Sequence, residues 1–401
     1  MIITLQYLED SPELLTLSPR EVSDKLKFAF EAIPVTHLLI GWQLPGTLFD
    51  ICQKESDHAG VKFIRWHPLL TGDGTFFPRS EWQVVGLDNH KVPGFQNMPE
   101  FTFVCPNHPD ASGQILEHVQ RIVDSGQYQG LFLDRIRFPS PAARPLQHLG
   151  CFCKHCFQAA SDNGIDLEGL RKSIIKFTTT SSGKVELSQA LLGIDNSDNF
   201  QKPMSEIIKW LHFRENSITK FCQKVTAVVR QYGYEIGLDC FSPGLTRMVG
   251  QNISALSDCA DWIKIMCYAH TFGPAGLPFE ILGFLDFLIG EAEQTEQDAI
   301  SLLSAFLGIP LPSSCGELIG SGLTPQSLSL EIKKGIVSAK IPILAGLELV
   351  EIPGVAELND EHILTDHQAA KSIGADGLSI SWDLWNIPDN RLELISALWS
   401  E

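Results

Sequence analysis

Gly130-Leu131-Phe132-Leu133-Asp134-Arg135-Ile136-Arg137-Phe138-Pro139 is the stretch on which the reading of the fold turns. A glycine and three large apolar residues make a short strand fit for burial on both faces, Asp134 stands at its C-terminal end, and Pro139 closes the run. Strands buried on both faces belong to parallel sheets. Working outward, similar apolar runs occur near Ile2–Tyr7, His37–Gly41, Lys62–Trp66, Glu235–Asp239, Trp262–Tyr268, Pro342–Leu347 and Gly377–Trp382, with segments of helical pattern between them. Eight strands alternating with helices predict an α/β fold, a (β/α)8 TIM barrel spanning residues 1–401.

The strand ends support this choice. Trp42, His67, Asp134, Asp239, Tyr268, Glu348 and Asp383 stand at or just past the C-terminal ends of the runs, which is where a barrel gathers its working groups. A doubly wound open sheet would instead carry a glycine-rich phosphate loop after its first strand, and none is present. Long insertions are expected at about 70–109, 156–201 and 272–334. The first of these contains two further apolar runs, Trp82–Val85 and Phe101–Val104, that read as a strand pair.

Composition narrows the function. The chain has 401 residues, 44% hydrophobic and 19% charged, as expected of a globular protein with a large core. A formal net charge of −18 disfavours a nucleic-acid binder, whose affinity rests on clustered Lys and Arg. No apolar stretch reaches the ~18 residues of a membrane span, and the N-terminal residues read as a first strand. These features predict a cytoplasmic protein, and a homo-oligomer is compatible with them. Ten cysteines in such a compartment are read as buried thiols or metal ligands rather than disulfides.

Four of the ten stand apart. Cys151-Phe152-Cys153-Lys154-His155-Cys156 supplies three thiols at chelating spacing just beyond the fourth strand, and Cys105, ending an apolar run ahead of that strand, can return as a fourth. Four thiolates suit tetrahedral zinc and leave no open coordination position, so the expected ion is structural. His155 is a weaker fourth ligand because it sits beside Cys156.

The remaining candidates are carboxylates and aromatics. Cleavage of a glycosidic bond needs two carboxyl groups across it, one to protonate the leaving oxygen and one to attack or to activate water. Asp134, Asp239, Glu348 and Asp383 end strands, while Glu351 has the parity of a loop residue. Asp134 and Glu348 form the expected catalytic pair, as acid/base and nucleophile, with Asp239 supporting or replacing one of them. Trp42, Trp66, His67, Arg137, Tyr268, His270, Trp382 and Asp383 are the expected sugar-binding residues, because aromatic faces stack on pyranose rings and polar tips orient hydroxyls. A noncatalytic carbohydrate-binding barrel is the alternative. A metal-dependent hydrolase is more distant, since the sequence shows no obvious histidine cluster at a strand end.

These residues also carry a family resemblance. Gly130 to Pro139, with Cys105-Pro106-Asn107-His108-Pro109 ahead of it, resembles the strand-four region of a group of glycosyl-hydrolase-like barrels. Lys264 to Tyr268 and Gly377 to Trp382 resemble strands six and eight of family 18 chitinase-like barrels. The four cysteines are similar to the zinc site of family 42 β-galactosidases. The resemblance implies a glycoside hydrolase with a carbohydrate substrate, Glu348 matching the strand-seven nucleophile position, and a retaining mechanism is expected. Two departures stand out: family 42 enzymes place Asn-Glu where this chain has Asp134, and chitinases place Glu where it has Ile136.

Overall fold

The computed structural model describes residues 1–7, 16–41, 44–193 and 204–399. Eight parallel strands, β1 (Ile2–Tyr7), β2 (His37–Ile40), β3 (Lys62–Pro68), β4 (Gly130–Asp134), β5 (Glu235–Phe241), β6 (Trp262–Met266), β7 (Ile343–Glu348) and β8 (Gly377–Ser381), pair in sequence order. The sheet closes where β1 pairs with β8. All eight expected barrel strands are present. The ends differ by a few residues: β5 runs two residues past Asp239, whereas β6 stops before Tyr268 and β8 before Trp382.

Period-two alternation divides each strand between two environments. Leu39, Ile64, Trp66, Phe132, Trp262 and Leu344 meet inside the barrel as one apolar layer. Above it the interior turns polar: Thr4 Oγ1 donates to Ser379 Oγ at 2.7 Å, and Ser381 Oγ donates to Gln6 Oε1 at 2.8 Å. The intervening residues, such as Leu131, Leu133, Ile236, Leu238, Ile263 and Ile265, belong to the larger core beneath the helices.

The connections after β3, β4 and β6 are the long ones. After β3 the expected strand pair does not form. Residues 82–104 run instead through 3₁₀ turns and single antiparallel bridges, Gln83 to Val104, Val85 to Lys91 and Gly86 to Gly150. Three partners within four residues leave no room for a ladder, and Pro93 and Pro99 each lack the N–H a ladder needs. After β4 come helices Lys154–Asp162, Leu167–Phe177 and Ser181–Leu192, then the long helix Met204–Arg230. The part of this insertion at 194–203 lies outside the described residues. After β6, helix Leu277–Gly290 leads into three more helices before β7.

Candidate active site and cysteine cluster

Asp134 closes β4, and the residue after it is strained. Arg135 adopts φ 54°, the left-handed region that a side chain makes costly. The turn brings the Arg135 amide onto Asp134 Oδ1 at 2.5 Å, while Trp66 Nε1–H donates to Asp134 Oδ2 at 3.2 Å. The Arg135 guanidinium lies over Trp66 at 5.6 Å and over Phe101 at 4.3 Å. Trp66, Asp134 and the insertion after β3 are thereby fixed together.

Asp239 stands on the neighbouring strand, one step past the Leu133–Leu238 pair. It is buried, and Lys264 Nζ donates to its Oδ2 at 3.0 Å and to Gln6 Oε1 at 3.0 Å. The lysine crosses the barrel because β7 has a glycine opposite: a Cβ on Gly346 would meet Lys264 Cε at 2.7 Å. Asp239 Oδ1 has no hydrogen-bond partner among the described residues, an exceptional state for a buried carboxyl oxygen. Burial pushes the Asp239 carboxyl up to about 7, Lys264 pulling it down and Asp134 adding to the rise. Burial works to lower Lys264, but Asp239 and Tyr268 outweigh it and hold the ammonium protonated. Burial also raises Tyr268, to about 12. The Tyr268 ring lies 5.3 Å from Lys264 Nζ and 5.9 Å from the Trp382 ring.

Arg137 joins this centre to a cavity. Its guanidinium is sandwiched between Phe103 at 4.5 Å and Phe241 at 4.4 Å, and burial lowers its pKa to about 10 against the opposing pull of Asp134, Glu280 and Asp239. On one side of Arg137 opens a cavity of about 320 Å³, walled by the insertions after β3, β4 and β6.

The other expected site residues are placed elsewhere. Glu348 is buried and accepts the His270 amide at 2.6 Å, while His270 Nε2 meets Asp366 Oδ2 at 3.0 Å. Burial raises Glu348 to about 7, with His270 opposing and Asp366 reinforcing the rise. His270 is raised as well, burial being outweighed by Asp366 and Glu348. Glu348 is thus tied through His270 to helix Asp360–Ser372. His67 lies on the outer face of β3, where Asp73 holds His118 Nε2 at 2.7 Å and lies 3.6 Å from His67 Nδ1. These three residues form the histidine–carboxylate cluster that the sequence did not reveal. Asp383 caps a turn, Oδ1 accepting the Trp385 amide at 3.3 Å, and Glu351 is a loop residue paired with Arg391 at 3.4 Å. Trp42 lies outside the described residues.

Lys264, Gln6, Arg135 and Glu280 are functional candidates that the sequence reading did not select. A lysine inside the apolar run Trp262–Met266 and a glutamate inside the apolar helix Leu277–Gly290 were the available signals.

Cys105, Cys151, Cys153 and Cys156 come together, their sulfurs all within 4.8 Å of one another. Cys105 and Cys156 lie 3.3 Å apart and Cys105 and Cys153 3.6 Å, too far for disulfides and close to the roughly 3.8 Å edge of a tetrahedral zinc–thiolate site. The Val85 amide donates to Cys151 Sγ at 3.5 Å and Asn107 Nδ2 to Cys156 Sγ at 3.4 Å, the donors that thiolates require around a metal. His155 is not one of the four; its ring packs on His108 at 4.2 Å. The cluster is compatible with a metal site and pins the chain after β4 to the chain before it.

No family model and no curated protein matches the chain. Solved structures do. The glycoside hydrolase domain of PgaB (BpsB) from Bordetella bronchiseptica matches at TM-score 0.56 and 14% identity, over 98% of this chain and 97% of that one. The catalytic domain of β-amylase from Paenibacillus polymyxa matches at TM-score 0.54 and 11% identity, over 99% and 97%. β-Galactosidase from the psychrophilic Marinomonas ef1 matches at TM-score 0.56 and 11% identity, over 100% of this chain and 60% of that one. At such identities the likeness is one of fold: the chain has a glycosyl-hydrolase-like (β/α)8 barrel.

Proposed function

We propose that the protein is a glycoside hydrolase that cleaves a sugar linkage at the C-terminal mouth of its barrel, using Asp134 and Asp239. The observation that carries this reading is the buried Asp239, raised to about 7 and with one unpartnered oxygen, on the strand next to Asp134. An acid that keeps its proton near neutrality can deliver it to a leaving oxygen, and Lys264 then stabilises the carboxylate left behind. Asp134, oriented by Trp66 and the Arg135 amide, is the group that meets the sugar. The two carboxyls, on neighbouring strands, are taken as a retaining pair, which requires roughly 5–5.5 Å between them. In this reading Asp134 is the nucleophile and Asp239 the acid/base, a division that replaces the expected pairing of Asp134 with Glu348.

The four cysteines are proposed to hold a structural zinc. Ten cysteines, none in a disulfide, favour a reducing, cytoplasmic setting, and among the described residues no helix is long and apolar enough to cross a membrane.

One observation favours a noncatalytic sugar-binding barrel: the 3.0 Å ion pair with Lys264 could hold Asp239 in a purely structural role. The deciding experiment is a panel of aryl glycosides and oligosaccharides assayed with wild type, Asp134→Asn and Asp239→Asn. Turnover by wild type that either variant matches removes that residue from the mechanism. Sugar binding without any turnover leaves the binding barrel.

A further inference from the structure

The cavity beside Arg137 has two unlike poles. At one, Arg137 Nε–H, buried, has no hydrogen-bond partner among the described residues. Beside it, Glu280 accepts from Ser140 Oγ at 2.5 Å and from the Ala275 amide at 2.9 Å. At the other pole, Phe95 packs edge-on against Phe279 at 5.7 Å and against Phe101 at 6.2 Å, all three half-buried in the cavity wall. Arg137 is in electrostatic contact with Asp134 and Asp239.

We infer that this cavity receives the apolar aglycone of a glycoside, so that the substrates are alkyl or aryl glycosides rather than long polysaccharides. The inference rests on Asp134 and Asp239 as the cleaving pair. A ligand lying across the cavity would offer an acceptor oxygen to Arg137 Nε and a hydrocarbon body to the three phenylalanines. The volume of about 320 Å³ is roughly twice the ~150 Å³ that encloses one benzene, which leaves room for two fused rings or about eight methylenes. Hydroxyl-rich sugar units would leave their polar groups unpaired against phenylalanine edges, a loss that an alkyl chain does not suffer. The reaction is plain hydrolysis. The bond between the anomeric carbon and the aglycone oxygen breaks, a water oxygen takes its place on carbon, and a proton ends on the departing alcohol.

The test separates this inference from the cleavage reading. Ethyl and octyl glycosides of the sugar found by the panel have leaving groups of nearly equal basicity, so any difference reports the cavity. Octyl should lower KM at least tenfold relative to ethyl, since each buried methylene multiplies affinity up to about fourfold. Phe279→Ala should raise the octyl KM toward the ethyl value. Ala143→Trp, at an exposed position in the same wall, fills the cavity without removing a core residue and should do the same. Calorimetry with octan-1-ol and butan-1-ol reads the cavity without turnover, and octanol should bind at least tenfold more tightly to wild type only. Turnover with no chain-length dependence overturns the aglycone site alone. Chain-length-dependent alcohol binding without turnover of any glycoside overturns the cleavage reading instead. An oligosaccharide preferred over the octyl glycoside, with Ala143→Trp weakening it, reassigns the cavity as a sugar subsite.

Discussion

Two buried acids at the barrel rim, Asp239 and Glu348, are pushed to the same region near 7 by the same cause, burial, yet they are wired differently. Glu348 accepts a backbone amide and faces a histidine that is itself tied to helix Asp360–Ser372. Asp239 faces an ammonium and another carboxylate and leaves one oxygen without a partner among the described residues. The first arrangement locks a loop to a helix. The second leaves a carboxyl oxygen uncommitted next to a charge, so a displaced pKa gains functional meaning only from what surrounds the atom that carries it.

The comparison can be broken most sharply by activity. Asp134→Asn should lower kcat on an accepted glycoside about 10³-fold and Asp239→Asn by at least about 10²-fold, whereas Glu348→Gln should stay within roughly tenfold of wild type. Equal losses for Asp239 and Glu348 would erase the distinction. The cysteine cluster comes next. Elemental analysis should find one zinc per chain, and the pair Cys105→Ser with Cys153→Ser should lose it and lower Tm by several degrees, because a closed thiolate site contributes binding energy directly to folding. Protein that is free of zinc yet equally stable would remove the metal.

Smaller effects sharpen the picture. Asp239 and Glu348 keep protons in the fold that the unfolded chain releases near 4, so their contribution to stability is complete below that pH and is lost as pH rises through about 7. Denaturant unfolding at pH 5 and pH 8 isolates this contribution by difference: across that interval Asp239→Asn and Glu348→Gln should each lose less stability, or gain more, than wild type. The smallest effect belongs to Glu351→Ala. Its carboxylate is largely exposed against Arg391, and its loss should change stability by less than about 1 kcal/mol and activity not at all.

The eight strands were legible because a parallel barrel buries both faces of each, and apolar runs such as Leu131–Leu133 and Ile263–Ile265 have few other uses. The strand pair expected at Trp82 and Phe101 was misread for the same reason: an apolar run marks burial, and at residues 82–104 burial is met by turns and scattered bridges. Asp134 and Asp239 could be found by their position at strand ends. Lys264, Gln6 and Ser381 could not, because their meeting depends on β1 closing against β8 across most of the chain. His67 was within reach of the alternation rule, since Trp66 inside the barrel sends its neighbour outward. Asp73 reaches it from the loop directly after β3, whereas His118 comes from the distant helix Pro109–Asp124.

Gln6 gives the barrel a temporal consequence. It accepts from Lys264 and from Ser381, so residues of the first, sixth and last strands settle one charge together. While the chain is being synthesised, Lys264 emerges long before Ser381 does, and during that interval the ammonium lacks its finished cradle. Asp239 is therefore paired with a lysine whose support through Gln6 is complete only after the eighth strand docks. A nascent chain that is already mostly barrel would hold this charge only half supported until its last strand arrives.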